Sequence, residues 1–500
     1  MAPDEEKAEV KSLEDVPTAE VVIGTGTSLA RGVPSSTVIS YILVGMAMAA
    51  FVPMNKGFSG YAGRMVDAAL GFATGWNYFL KYIVTAPTNL TASGLVVQYW
   101  RPDLNVAIWI TIFGLVIIAS NLFHVKHFGE MQFWFSCAKV IIMAVLIIGC
   151  VVIALGGGPN HHRVGFAYWE NPGAFAAYLV EGNKGRFLGW WAAMCKSCWA
   201  YAGTEVVGMT FGETPNPRKN IPRAVKQTFW RISVFYILSV LVLGMAVPYN
   251  NDKLIGATKQ ATSDAASPFV VAFSLAGVEA MGDFVNASLL IFTLSASSSD
   301  IYCASRSLYG LAKDGQAPKI FAKATTNGVP VYATIAASVF CALGYLNASK
   351  SASQVFEHLV SVVTVFAVLN WMAILISYLG FRRSIKAQGI PVKSLPNVGP
   401  LQPWGAYYAL FLSLLVTVFN GYDAFIPHLK PADFVLKYIG TVIFIANFAW
   451  WKSVNKTEFY KRNFVDLFTG RREFQEQETA DDQRWNESWW KTLQKKVVKH

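Results

Sequence analysis

Charge is what this sequence has least of. Acidic and basic residues together fill 15% of its 500 positions, against roughly a quarter in soluble domains. Hydrophobic residues make up 53% and aromatic ones 14%, and the mean hydropathy is +0.36. A soluble enzyme and a disordered polar chain are thereby excluded. Cysteine is scarce as well: Cys137, Cys150, Cys195, Cys198, Cys303 and Cys341 all fall inside or at the edge of apolar segments, where a thiol acts as a small buried hydrophobe. A disulfide scaffold does not fit, and Cys195-x-x-Cys198 lacks the second Cys or His pair of a metal or redox site. An apolar leader is also missing. Met1 to Glu20 is acidic, with only Lys7 and Lys11 as basic residues, which is not a cleavable signal peptide. The loops show no nucleophile elbow, phosphate loop or metal-ligand spacing, so a membrane enzyme is not expected.

Long apolar runs are what the chain has in quantity. A helix needs about 18 or more apolar residues to cross a ~30 Å hydrocarbon layer. Windows near that length lie at Thr37 to Pro53 (short), Phe72 to Tyr99, Val106 to Phe123, Met131 to Leu155, Phe187 to Phe211 and Phe229 to Pro248. Further ones lie at Phe284 to Ile301, Val331 to Leu346, Phe356 to Phe381, Tyr407 to Phe425 and Phe434 to Trp451. Val21 to Arg31 is apolar and Gly-rich but covers only about half a bilayer by helix rise, and reads as a partial further crossing. The chain thus divides into an acidic tail (1–20), a membrane domain (21–451) and a C-terminal tail (452–500).

The net charge of +11 comes from basic residues scattered in short loops rather than from one patch, so it reports topology and not nucleic acid. The loops with Arg218, Lys219, Arg223 and Lys226, with Arg306, Lys313, Lys319 and Lys323, and with Arg382, Arg383, Lys386 and Lys393 are expected inside. With Val21 to Arg31 as a crossing, both termini lie on that side too.

Ionisable groups inside spans cost roughly 2.5–3.5 kcal/mol each at the bilayer centre, so each needs a reason. Lys139 lies about 12 Å past Met131 by helix rise. It either snorkels to the surface or is an interior ammonium that exchanges a proton or fills a cation site. In Ala200-Tyr201-Ala202-Gly203-Thr204-Glu205 the small residues suit close packing or an interrupted helix that meets a ligand. Packing does not explain Glu205 or Lys196, which are two and a half turns apart and are expected to line an aqueous path. Asn89 follows Pro87 in a span, where a kink is an equal reading. Ser295, Ser297 to Ser299 and Asp300 form a hydroxyl-rich stretch suited to packing or a cation path. Asn370 reads as interhelical glue.

Two strings carry a resemblance. Gly212-Glu213-Thr214-Pro215-Asn216-Pro217-Arg218-Lys219-Asn220-Ile221-Pro222-Arg223 and Ser305-Arg306-Ser307-Leu308-Tyr309-Gly310-Leu311-Ala312-Lys313-Asp314-Gly315-Gln316-Ala317-Pro318 resemble the fungal amino acid permeases of the yeast amino acid transporter family, within the amino acid, polyamine and organocation superfamily. Similarity extends from about Gly24 to Glu473, with Gly57 to Arg64, Gln402-Pro403-Trp404-Gly405 and Thr469 to Glu473 also matching. The resemblance implies an all-α membrane protein of the leucine-transporter type, two inverted five-helix repeats plus two extra helices, taking up amino acids with protons across the plasma membrane. It implies no cofactor, with the proton gradient as the driving force and amino acid, protons and lipid as partners.

It also implies a substrate site at unwound stretches of the first and sixth helices. On this chain those are Gly24 and Gly26, and Tyr201, Ala202, Gly203, Thr204 and Glu205, with Asn89 nearby. Lys139 matches a lysine that replaces a sodium ion in relatives and is a proposed proton carrier, with Glu205 a second candidate for proton coupling. The pattern departs from the family at Ile23-Gly24-Thr25-Gly26, where the first helix looks truncated. It departs again at Ala47, where relatives have glutamate and the second helix looks shortened, and at Asn89, where many relatives have glutamate. A non-transporting amino acid sensor and the inactive product of a truncated gene are the alternatives.

Overall fold

The computed structural model describes residues 57–469 apart from 124, 210–216, 252–253, 255–266, 327, 349–351, 392–394, 396–401 and 426–428, together with Val44, Gly45, Ala47, Met48, Phe51, Val52 and Met54. Among the described residues every regular element is helical. The helices are α1 (Gly57–Met65), α2 (Ala68–Val97), α3 (Val106–Leu122), α4 (Val125–Ala154), α5 (Gly182–Tyr201), α6 (Pro217–Ala246), α7 (Pro268–Leu275), α8 (Ala280–Lys313), α9 (Val331–Val339), α10 (Ala352–Ala387), α11 (Trp404–Phe419) and α12 (Pro431–Asn455). Each apolar window from Phe72 onward coincides with one of them. Val21 to Arg31 lies outside the described residues. Of the short window, Val44, Gly45, Ala47, Met48 and Phe51 are helical.

Among the described residues, six stretches are long and apolar enough to cross a membrane: Phe128–Ala154, Lys226–Ala246, Ala280–Lys313, Val355–Ala387, Trp404–Phe425 and Pro431–Asn455. Their placement differs sharply, since 72% of the apolar window in α10 is buried but only 6% of that in α12. Helix α12 therefore turns apolar side chains such as Val442 and Ile445 outward, as a lipid-facing helix does, whereas α10 lies inside the bundle. Helix α2 is too polar to join the six, yet most of it is buried, packed against α8, α10, α1 and α12. Protein rather than lipid surrounds it, and its polar residues find partners there.

The turn from α1 into α2 is tight. Asp67 caps α2, its Oδ1 accepting the Ala69 N–H at 2.8 Å, and its Oδ2 pairs with Lys452 of α12. The helices cross so closely that a Cβ on Gly71 would lie 2.7 Å from the Gly63 Cα.

The basic residues read as loop charges sit instead on helix ends. Arg306 and Lys313 belong to α8, Arg218, Lys219, Arg223 and Lys226 to α6, and Arg382, Arg383 and Lys386 to α10. A helix can run past the hydrocarbon layer, so the apolar window marks less than its full length. Arg306 lies over the Tyr302 ring and Lys313 over Tyr309. The first part of the C-terminal tail also packs back on the bundle: Arg64 pairs with Asp466 at 2.7 Å, Gln388 donates to the Val465 carbonyl at 2.7 Å, and Leu467 is buried.

Candidate functional site

Helix α5 stops inside the bundle. Ala202 is extended at ψ 133°, and Gly203 takes a φ of +100°, a conformation open to glycine and strained for other residues. A short 3-10 turn, Thr204–Met209, then resumes the chain. Such a break orphans carbonyls in the last helical turn. Hydroxyls meet two of them: Thr204 Oγ1 donates to the Tyr201 carbonyl at 2.9 Å, and Tyr236 of α6 donates to the Ala200 carbonyl at 2.8 Å. The interrupted-helix reading of these small residues is therefore the one that the backbone adopts.

Glu205 follows the break and is buried. Its Oε1 pairs with the ammonium of Lys81 on α2. Its Oε2 accepts the Gly203 N–H at 3.1 Å and the indole N–H of Trp371, on α10, at 3.3 Å. The carboxylate thus ties the unwound backbone, α2 and α10 to one point. Lys81 is 1% exposed, and its Nζ lies 4.5 Å from the centroid of the Tyr82 ring. One turn earlier on α2, the Asn77 amide donates to the Phe366 carbonyl at 2.8 Å and to Asn370 Oδ1 at 2.7 Å.

Sequence reasoning missed Lys81, although the signal was the one that singled out Lys139: a cation inside an apolar window. Lys196, expected to share a path with Glu205, is exposed on the flank of α5. Helix α5 ends between the two, so Lys196 stays on its exposed flank while Glu205 is buried beyond the break.

A second polar cluster joins α2, α3, α4 and α8. The Lys139 ammonium donates to Ser295 Oγ at 2.9 Å, and Ser295 donates to Gln132 Oε1 at 2.8 Å. Lys139 is 7% exposed, so it faces the bundle and does not snorkel to the surface. Asn89 donates to Asp300 Oδ2 at 2.7 Å, and the Asn121 amide donates to the Ser298 carbonyl at 3.2 Å. Asn89 is therefore a tether between α2 and α8, away from the break. Asp300 senses the charges of Lys81, Lys139 and Glu205, so the clusters are electrostatic neighbours. Gly24 and Gly26 lie outside the described residues.

The structure brings Tyr201 to Glu205 together at the break, and Lys139 and Asn89 to the adjoining cluster. Buried charges inside an apolar helical bundle mark sites of ion or substrate passage far more often than sites of stability. Comparison with known proteins gives the family. The family model for amino acid permeases matches residues 16–463. An amino-acid permease of Schizosaccharomyces pombe is 47% identical over 457 residues, covering 89% of this chain and 88% of that protein. The dicarboxylic amino acid permease of Saccharomyces cerevisiae is 44% identical over 464 residues, 90% of this chain and 76% of that protein. The proline-specific permease of Emericella nidulans is 39% identical over 482 residues, 93% of this chain and 88% of that protein. Transporters and not enzymes fill this group, and the chain belongs to the amino acid permease family.

Proposed function

We propose that this chain is a secondary active transporter that carries amino acids inward across the plasma membrane with protons. The observation that carries the reading is the break in α5 at Ala202 and Gly203 with a buried carboxylate at Glu205. In the leucine-transporter arrangement of two inverted five-helix repeats, α5 holds the place of the sixth helix, and α11 and α12 lie outside the repeats. The carbonyl end of a half-helix attracts an ammonium, so the end of α5, with Glu205 beside it, suits the substrate amino group in either charge state of that carboxyl. Gly24 and Gly26 would offer N–H groups to its carboxylate.

Lys139 serves as the proton carrier. An ammonium buried beside a hydroxyl rather than a carboxylate is poorly compensated, and a change in its charge alters how α4 holds α8. Outer protons reach Lys139 or Glu205, substrate binds near Gly203, and one bundle rocks against the other to release both inside.

The relatives' names span dicarboxylic and proline substrates, so family membership sets the class as amino acid and leaves the side chain open. Lys139→Ala in permease-deficient fungal cells is expected to abolish accumulation of labelled amino acid against its gradient, with the protein still at the membrane. Unchanged accumulation would refute the coupling role.

A further inference from the structure

The Lys81–Glu205 pair has more charge than a zwitterion requires. The α-amino and α-carboxylate groups of any amino acid can be met by half-helix ends and backbone N–H groups, which carry only partial charges. Lys81 adds a full cation with three donors. In the resting arrangement Glu205 neutralises it, with Tyr82 the only other partner among the described residues, its hydroxyl 3.5 Å from Nζ. A buried pair contributes little net stability, yet removing either charge leaves the other unpaired at large cost. Any state in which Glu205 lets go of Lys81 must therefore supply a second anion.

Among the described residues, the surroundings do not supply it. The titratable groups that act on this spot are Tyr82 and Tyr78 on α2 and Asp300 and Cys303 on α8, while α10 contributes the neutral Trp371. Asp300, the only other carboxylate among them, is held by Asn89 at 2.7 Å. Next to Trp371, Asn370 Nδ2 is buried with no hydrogen-bond partner among the described residues, a donor left unused there.

We propose that Lys81 selects amino acids with a side-chain carboxylate, which takes the place of Glu205 on the Lys81 ammonium. The inference rests on the transport reading above and deepens it. Charge balances throughout: a proton received by Glu205 cancels its charge as it leaves Lys81, and the incoming side-chain carboxylate restores the lost anion. Proton and acidic substrate thus enter together. A substrate with a neutral side chain would leave Lys81 unpaired once Glu205 is neutralised.

The test uses the full chain in permease-deficient fungal cells, with labelled L-glutamate, L-aspartate and the near-isosteric L-glutamine. Wild type is expected to take up glutamate in preference to glutamine, and Lys81→Gln to lower that preference about tenfold or more, because a site built for a charged group rejects its neutral analogue strongly. Lys81→Arg, which keeps the charge, should keep part of the preference. A wild type that prefers neutral amino acids overturns the inference and leaves the transport reading standing, whereas no amino acid uptake at all overturns both. A second measurement covers a Lys81→Gln chain that fails to reach the membrane. Glutamate, and not glutamine, should raise the melting temperature of purified wild type, and equal shifts from the two would also overturn the inference.

Discussion

Lys81 and Lys139 are both ammonium groups buried in the same bundle, and the bundle treats them differently. Lys81 sits where a helix breaks, paired with a carboxylate that also accepts a backbone N–H and an indole N–H. Lys139 sits between two continuous helices, and its only hydrogen bond among the described residues is to the Ser295 hydroxyl. The first charge is neutralised inside the bundle and anchors three elements; the second donates to a neutral hydroxyl and feels the Asp300 carboxylate without a hydrogen bond to it among the described residues. The difference is one of partner, a carboxylate for Lys81 and a hydroxyl for Lys139.

The largest effect that could break this comparison is on stability. Lys81→Met should destabilise the purified protein by about 3–5 kcal/mol, since it leaves the Glu205 carboxylate buried alone. Adding Glu205→Gln to the same chain should recover part of the loss. Thermal melting in detergent reads both, and a wild-type melting curve for Lys81→Met would remove the anchor role.

Gly203→Ala comes next. A side chain at this positive φ costs about 1–3 kcal/mol, and the substitution should cut substrate uptake even where membrane levels match wild type. Uptake at wild-type rate would mean that the break need not keep its shape.

Lys139→Met should change stability by no more than about 1.5 kcal/mol, because the lost charged hydrogen bond is offset by relief of the ammonium's burial. A loss as large as that of Lys81→Met would erase the contrast.

The smallest effect lies at the rim, outside both sites, at Arg64 and Asp466. Burial alone would raise the Asp466 carboxyl, but the hydrogen bonds from Thr469 and Phe468 and the Arg64 guanidinium outweigh it and hold the group below the usual carboxylate range. Its stabilisation is therefore full above the unfolded value of about 4 and fades as pH falls through the lowered folded value. Asp466 is half-exposed, and screening limits the pair to about 1 kcal/mol. Hydrogen exchange at the Tyr460 amide, which donates to the Val66 carbonyl, should quicken at acid pH if that pair holds the segment down.

Much of this was legible in order along the chain. The apolar windows located the helices because the hydrocarbon thickness sets a minimum run, and Ala202-Gly203 marked the break because few residues besides glycine tolerate the backbone that the break uses. What stayed hidden was pairing. Lys81 and Glu205 are 124 positions apart, and Asn89 and Asp300 are 211 apart. Nothing local in either segment points to its partner. Helix ends were misjudged for a related reason: Arg306 and Lys313 ended the apolar window without ending α8.

By itself the sequence determined that the chain is a bundle of membrane helices, that one of them carries a glycine stretch open to interruption or close packing, and that a few charges fall inside the apolar runs, because hydropathy and backbone freedom are properties of neighbouring residues. The tertiary structure alone decided that Lys81 and not Lys196 meets Glu205, and that Lys139 has a hydroxyl where Lys81 has a carboxylate. Which buried charges neutralise one another depends on how helices distant in sequence pack, and packing is a property of the whole bundle.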